Sequence, residues 1–129
     1  MSFYLLSSID GRIHFDLSNV QEPITENAIK SIVKDAYDND RKIRVLGSGH
    51  SWSEVAQTTD IMISLSKYIG PVSIDRENLR ATFKAGTSLR DISLVLEDEG
   101  LAMLNLGSVA YQSIAGAIST GEQLPPVIT

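Results

Sequence analysis

The sequence IRVLGSGHSWS, at residues 43–53, decides how this chain can fold. It opens with alternating apolar residues, a pattern typical of a β-strand, and the pattern breaks at Gly47-Ser48-Gly49. Because glycine lacks a Cβ atom, a backbone of this kind can turn tightly and lie close to a ligand. A histidine and two serines follow at once. A strand that enters such a turn predicts a ligand-binding loop.

The residues around this loop predict a sheet with a helix between its strands. An Asp10-Gly11 pair predicts a β-hairpin within residues 3–17. Thr25 is a candidate N-cap for a helix that ends near Asn39. The strand that enters the loop spans residues 42–46, and residues 61–65 form a second, buried strand. This order predicts a right-handed βαβ-like start. The helix carries an apolar stripe at Ala28, Ile29, Ile32, Val33 and Ala36.

The later part of the chain predicts a second hairpin and two helices. Residues 72–75 and 79–85 alternate as an antiparallel pair, with one apolar face formed by Leu79, Ala81, Phe83 and Ala85. Ser88 and Asp91 have the spacing of a capping box, and the helix ends at Gly100. Residues 113–121 are small and predict a helix start whose amides are uncovered. The fold class is therefore α+β: a small βαβ-like sheet flanked by helices, plus an antiparallel hairpin.

Composition limits the possible functions. The chain has 129 residues, is 43% hydrophobic and carries a net charge of −5, without a block of lysine or arginine. A nucleic-acid partner is therefore not expected. Cysteine is absent, which excludes disulfides and thiolate metal sites, and no metal site is predicted. No apolar stretch is long enough to span a membrane, so we expect a cytoplasmic protein.

Two familiar interpretations of the glycine turn match only in part. A dinucleotide-binding turn of the Rossmann type needs a third glycine, and Trp52 stands where the helix must pack closely. A serine hydrolase elbow would use Ser51 as its nucleophile, but Ser53 replaces the final glycine of that motif. That fold also requires a histidine after the serine, and none follows His50.

Three separated motifs carry a resemblance to a known family. They are RVLGSGHSWS at residues 44–53, NLGS at 105–108 and QSIAGAISTG at 112–121. Their order and spacing resemble the first subdomain of the FAD-binding (PCMH-type) domain of the vanillyl-alcohol oxidase superfamily, and within it the sugar-1,4-lactone and alditol oxidases. The resemblance covers residues 20–121, with residues 1–19 as an N-terminal hairpin or arm and 122–129 as an irregular tail.

The resemblance implies FAD as the cofactor. Backbone amides of Gly47, Ser48, Gly49, His50 and Ser51 would form an anion nest for the pyrophosphate. His50 would either be bonded covalently to the flavin 8α-methyl or merely hydrogen-bond the pyrophosphate or the loop. Ser113, Gly116, Ala117 and Thr120 would lie along the flavin, and Gly107 and Ser108 would line the turn before them. The alternative for residues 115–117 is that small side chains simply permit tight helix packing.

The sequence also departs from the family pattern. Relatives continue the small-residue helix with a threonine-histidine-glycine run and then a substrate domain, whereas Gly121 is followed by Glu122 and two prolines, Pro125 and Pro126. We therefore assign no catalytic residue and expect the chain to be inactive alone. Three hypotheses remain: half of a flavin oxidoreductase completed by another chain, a domain that binds flavin without turnover, and a remnant or interaction protein that forms a homo-oligomer.

Overall fold

The structure is a computed structural model. It describes residues 5–7, 14–16, 19–49, 58–104 and 109–121, with backbone alone in the first two ranges. The chain divides into two compact units, Met1–Lys67 and Tyr68–Thr129. Each unit has its own sheet and helix, so each is described by itself.

The first unit contains a hairpin and a parallel sheet. Strands β1 (Leu5–Ser7) and β2 (His14–Asp16) pair antiparallel, as predicted. Their register is symmetric about Asp10-Gly11, a pair that lies outside the described residues. Strands β3 (Val20–Gln21), β4 (Ile43–Leu46) and β5 (Ile61–Ser64) form a parallel sheet in the order β3-β5-β4. The predicted βαβ-like start is confirmed, although β3 was not predicted as a strand.

Helix α1 (Glu26–Asp38) joins β3 to β4 and begins and ends as the sequence predicts. The Thr25 hydroxyl accepts a 3.2 Å hydrogen bond from the Ala28 amide. At the other end the Arg41 amide donates to the Ala36 carbonyl at 2.8 Å, which closes a Schellman-type turn. Asp40 occupies the left-handed position of that turn with φ 52°.

The core of the first unit lies between α1 and the sheet. Ile61 and Ile63 on β5 are buried together with Ala36. Ile32 packs against the same cluster, one helical turn before Ala36. Val33, predicted on this apolar stripe, is instead 48% exposed. Ile32 and Ala36 are on the side of α1 that faces β5, and Val33, one residue after Ile32, is turned away from it. The prediction that Val33 belongs to the apolar face of α1 is therefore wrong.

The second unit begins with the predicted hairpin. Strands β6 (Pro71–Asp75) and β7 (Arg80–Phe83) pair antiparallel, with a register shift between Pro71 and Ser73. Leu79 was expected on the apolar face of this hairpin. It lies in the connecting turn with φ 54° and is 74% exposed, because the register pairs Asp75 with Arg80 and leaves Leu79 outside the ladder.

Helix α2 (Leu89–Asp98) has both predicted ends. The Ser88 hydroxyl accepts a 3.0 Å hydrogen bond from the Asp91 amide and donates to the Asp91 carboxylate at 2.7 Å. In this capping box, therefore, the carboxylate contacts the serine side chain. The helix ends in a Schellman motif in which Gly100, at φ 70°, donates to the Glu97 carbonyl and Leu101 donates to the Leu96 carbonyl.

Helix α3 (Ile114–Ser119) is only six residues long and begins at the N-cap Ser113. It packs against α2 through Ala117, which is buried in one cluster with Leu89, Ile92 and Leu96. Partly buried apolar residues surround this cluster: Phe83, Leu101, Met103 and Ile114. The core of the second unit therefore fixes α3 to α2 and to the hairpin.

Candidate functional site

The glycine turn follows the last residue of β4. Gly47 and Ser48 are exposed and Gly49 is half-buried. Gly49 has φ 77°, in the left-handed region that residues with a side chain rarely adopt. The predicted need for glycine at this position is confirmed. The turn also stands at the carboxyl end of a parallel strand, which is where open parallel sheets bind their ligands.

Several predicted site residues lie outside the described residues. These are His50 and Ser51 of the first motif and Gly107 and Ser108 of the second. Their proposed roles stay predictions. Of the remaining predicted residues, the first unit supplies Gly47, Ser48 and Gly49, and the second supplies Ser113, Gly116, Ala117 and Thr120.

The amides at the start of α3 are occupied by acceptors within the chain. Ile114 donates to the Thr87 carbonyl at 2.9 Å, and Ala115 donates to the Ala85 carbonyl at 3.2 Å. The Gly116 amide donates to the Ser113 hydroxyl at 3.3 Å. The prediction of uncovered amides is therefore wrong at these three positions. Buried backbone amides in folded proteins are normally hydrogen-bonded. Here two of the acceptors are carbonyls of the loop before α2.

The side chains of α3 divide between the core and the surface. Ala117 is 1% exposed inside the hydrophobic cluster, as the packing alternative for residues 115–117 expects. A Cβ atom at Gly116 would lie 3.1 Å from the Ser113 hydroxyl, so this glycine permits the close N-cap. The Thr120 hydroxyl is exposed and donates to the Gly116 carbonyl at 3.0 Å. Its oxygen retains the capacity to accept a hydrogen bond.

A buried threonine that the sequence patterns did not single out supports this region. Thr87 is 2% exposed, and its hydroxyl donates to the Lys84 carbonyl at 2.6 Å while accepting the Gly70 amide at 3.0 Å. Its own carbonyl accepts the Ile114 amide. Thr87 thus links the hairpin to α3. Hydrophobic periodicity contains no signal for a polar residue that is buried through hydrogen bonds.

Three exposed carboxylates in the described part have lowered pKa values. A hydrogen bond from Lys67, assisted by one from Ser66, lowers the pKa of Glu22. Hydrogen bonding to Lys30 lowers the pKa of Glu26, and the Asn78 side chain and amide lower that of Asp75. These carboxylates remain ionised at neutral pH, which is unfavourable for a general acid. Within residues 19–49, 58–104 and 109–121, no group of three or more acidic or histidine side chains could hold a metal ion.

Residues 18–123 match the family described as an FAD binding domain. This match covers most of the chain and includes the glycine turn and α3. The chain belongs to this family of FAD-binding domains. The resemblance to the vanillyl-alcohol oxidase superfamily drawn from the three motifs is thereby confirmed, and so is FAD as the cofactor of the domain.

Curated relatives of this FAD-binding domain include sugar-lactone oxidases. The chain is 32% identical over 100 residues to L-gulonolactone oxidase of Mus musculus, covering 78% of this chain and 23% of the relative. It is 36% identical over 104 residues to D-arabinono-1,4-lactone oxidase of Yarrowia lipolytica, covering 78% and 20%. A mitochondrial L-galactono-1,4-lactone dehydrogenase of Brassica oleracea is 26% identical over 129 residues, covering 96% and 22%. The chain thus spans about a fifth of the length of these relatives.

Solved structures agree on the fold. Cholesterol oxidase from Brevibacterium sterolicum superposes with a TM-score of 0.72 at 22% identity, covering 90% of this chain and 23% of that one. A solvent-stable cholesterol oxidase gives the same TM-score at 21% identity, covering 89% and 23%. The α+β fold class predicted from the sequence, with its small parallel sheet and hairpin, is confirmed. In the part of the chain that the structure describes, no helix is long and apolar enough to cross a membrane.

Proposed function

We propose that this chain is the FAD-binding half-domain of a flavin-dependent oxidoreductase of the sugar-lactone or alditol oxidase type. The observation that carries the proposal is the turn after β4, where Gly49 lies at φ 77° within the region matched to FAD binding domains. The relatives named above act as oxidases or dehydrogenases of sugar lactones. The proposed domain extends over residues 20–121, with an N-terminal arm at 1–19 and an irregular tail at 122–129.

The glycine turn would hold the pyrophosphate of FAD. Successive amides that alternate between right- and left-handed backbone form a concavity for anions, and Gly49 supplies the left-handed residue. We assign Gly47, Ser48, Gly49, His50 and Ser51 to this nest. Backbone donors suit a chain with a net charge of −5 and no basic cluster, because they bind phosphate without lysine or arginine.

His50 would link the chain to the flavin. A covalent bond from its imidazole to the 8α-methyl carbon would hold the cofactor in place and raise its reduction potential. Forming this N–C bond would break an N–H bond of the imidazole and a C–H bond of the methyl group, and dioxygen would finally accept the two hydrogens and become hydrogen peroxide. The alternative is a histidine that hydrogen-bonds the pyrophosphate or the loop.

In the second unit, we assign Gly107, Ser108, Ser113, Gly116 and Thr120 to the flavin, whereas Ala117, which is 1% exposed, packs in the hydrophobic cluster instead. Because the first amides of α3 donate within the chain, contacts from α3 would come from other atoms. The exposed Thr120 hydroxyl can still accept a hydrogen bond from the ligand. The flavin supplies hydride acceptance when bound, and the residues of this chain bind and orient it.

Turnover would require groups that we do not assign to this chain. We propose that a complementing chain or a homo-oligomeric partner supplies them. The second candidate is a non-catalytic remnant or interaction protein that keeps the fold without flavin turnover. A cytoplasmic location stays a prediction from the sequence.

The absorbance spectrum of the purified protein tests the proposal. We expect flavin bands, either as isolated or after addition of FAD. Acid precipitation then separates the two roles of His50: colour in the pellet indicates a covalent bond, and colour in the supernatant indicates reversible binding. A colourless protein that takes up no added FAD would contradict the proposal and leave the fold-only candidate.

A further inference from the structure

The starts of α2 and α3 are joined to each other in a reciprocal way. Their N-cap residues, Ser88 and Ser113, form an isolated antiparallel bridge. Each serine also caps its own helix: Ser88 accepts the Asp91 amide at 3.0 Å, and Ser113 accepts the Gly116 amide at 3.3 Å. The two helices therefore begin side by side, with the same capping chemistry.

The first amide of each helix donates to the residue that precedes the other N-cap. Leu89 donates to the Gln112 carbonyl at 3.0 Å, and Ile114 donates to the Thr87 carbonyl at 2.9 Å. These amides have no acceptor inside their own helices, and the segment just before each helix supplies the acceptor for the other helix.

The second amide of each helix also donates to a carbonyl in the segment before the other helix. Arg90 donates to the Ala110 carbonyl at 2.8 Å, and Ala115 donates to the Ala85 carbonyl at 3.2 Å. Each acceptor lies three residues before its own N-cap. We call these four backbone hydrogen bonds, between residues 85–90 and 110–115, the N-terminal clasp.

The sequence carries a weak trace of this arrangement. Residues 85–92 read AGTSLRDI and residues 110–117 read AYQSIAGA. The two segments share alanine at the first position, serine at the fourth and a branched apolar residue at the fifth. The two serines that this pattern aligns, Ser88 and Ser113, are the residues that form the bridge.

We propose that the N-terminal clasp makes Thr87 and Ser88 positioning residues for FAD binding, although neither belongs to the assigned contacts. This inference rests on the proposed function, since α3 carries Ser113, Gly116 and Thr120. Thr87 is itself fixed by its buried hydroxyl, so the hairpin, α2 and α3 share one hydrogen-bonded frame. The first two amides of α3 donate to carbonyls of this frame. The orientation of α3 therefore depends on residues 85–90.

The substitution Ile114→Pro tests the clasp directly. Proline is favoured at the first position of a helix, but it lacks the amide that donates to Thr87. Ile114→Val also shortens the side chain but keeps that amide. Glu26→Pro places proline at the first position of α1, outside the clasp, as a second control.

We expect Ile114→Pro to weaken FAD binding about tenfold relative to Ile114→Val, as measured by quenching of flavin fluorescence in the full chain. Amide hydrogen exchange at Leu89 and Arg90 should accelerate in the same variant. Glu26→Pro should leave both quantities unchanged. Equal exchange rates in Ile114→Pro and Ile114→Val would overturn the coupling of the two helices, and faster exchange with unchanged FAD affinity would overturn the positioning role.

A milder variant keeps the test decisive if Ile114→Pro does not fold. Ser88→Ala should accelerate exchange at Ile114 and Ala115 about fivefold, through loss of the α2 cap, while Thr25→Ala removes the equivalent cap of α1 and should not. Unchanged exchange in Ser88→Ala overturns the inference. If the unaltered chain takes up no FAD, the positioning role fails together with the proposed function, whereas the exchange rates still decide whether the clasp couples the helices.

Discussion

The hydroxyl of Thr87 accepts a 3.0 Å hydrogen bond from the backbone amide of Gly70, across seventeen residues of chain. The threonine is 2% exposed, so water has little access to its hydroxyl. The same hydroxyl donates to the Lys84 carbonyl, which satisfies both of its hydrogen-bonding functions. The pairing ties the residue before β6 to the residue before the N-cap of α2.

Replacing Thr87 by valine should therefore destabilise the protein. Valine has nearly the same shape but leaves the Gly70 amide and the Lys84 carbonyl without this partner. We expect a loss of about 1–3 kcal/mol in the free energy of unfolding, measured by urea denaturation. Thr87→Ser keeps the hydroxyl and removes only a methyl group, so it should lose clearly less. Equal losses in both variants would mean that packing, rather than hydrogen bonding, makes Thr87 important.

Replacing Asp40 by glycine should stabilise the protein. Asp40 ends α1 at φ 52°, in a conformation that costs an L-residue with a side chain about 1 kcal/mol relative to glycine. We expect a higher thermal unfolding midpoint for Asp40→Gly. Asp40→Ala removes the same carboxylate but keeps a Cβ atom, so it should give no such gain. A similar rise in both variants would point to charge instead of backbone conformation.

Local chemistry made much of the fold predictable. Thr25 and Ser88 cap the helices that the sequence assigned to them, because a side-chain oxygen satisfies amides that no other local group reaches. Gly100 ends α2 for a similarly local reason, its φ of 70°. The turn at residues 47–49 was predictable because two glycines directly after an apolar strand favour a tight turn over continued pairing.

What the sequence could not give depends on contacts between distant segments. Leu79 alternates correctly with β7 but falls outside the ladder, because the register is set by pairing with β6. The first α3 amides were predicted to be uncovered because their acceptors, at Ala85 and Thr87, lie almost thirty residues earlier. Ala117 could equally have faced a ligand or a helix, and only its burial beside Leu89 distinguishes the two.

The turn at Asp75 should make a small, measurable contribution to stability at acid pH. Hydrogen bonds from the Asn78 side chain, at 2.7 Å, and from its amide lower the pKa of this carboxyl in the folded state. A lowered folded-state pKa contributes stability above the unfolded-state value, near 4, and that contribution is lost as the pH falls through the folded-state pKa. Asn78→Ala should raise the pKa of Asp75 in a carboxyl NMR titration. It should also reduce the amount by which the free energy of unfolding decreases at acid pH. An unchanged pKa would show that Asn78 does not stabilise the carboxylate.

Substituting Gly49 tests whether the glycine turn binds FAD. Gly49→Ala forces a Cβ atom into φ 77° and should distort the proposed pyrophosphate nest. We expect FAD affinity to fall at least about tenfold, as a change of 1.4 kcal/mol would give. Gly100→Ala imposes a comparable backbone cost at φ 70°, with no other atom within 4 Å of the new Cβ. The control should lower the unfolding midpoint but keep FAD affinity, and equal losses of affinity would contradict a specific role for the turn.

The two histidines of the chain allow the covalent link to be tested by one comparison. If His50 bonds the flavin, His50→Ala should move all flavin colour from the acid-precipitated pellet to the supernatant, whereas His14→Ala should leave it in the pellet. The reduction potential of bound flavin should also fall in His50→Ala, since an 8α-histidyl bond withdraws electron density from the ring system. Flavin that is released by acid from the unaltered chain would contradict the covalent bond. In that case weaker FAD binding by His50→Ala, with His14→Ala unchanged, would support the hydrogen-bonding role.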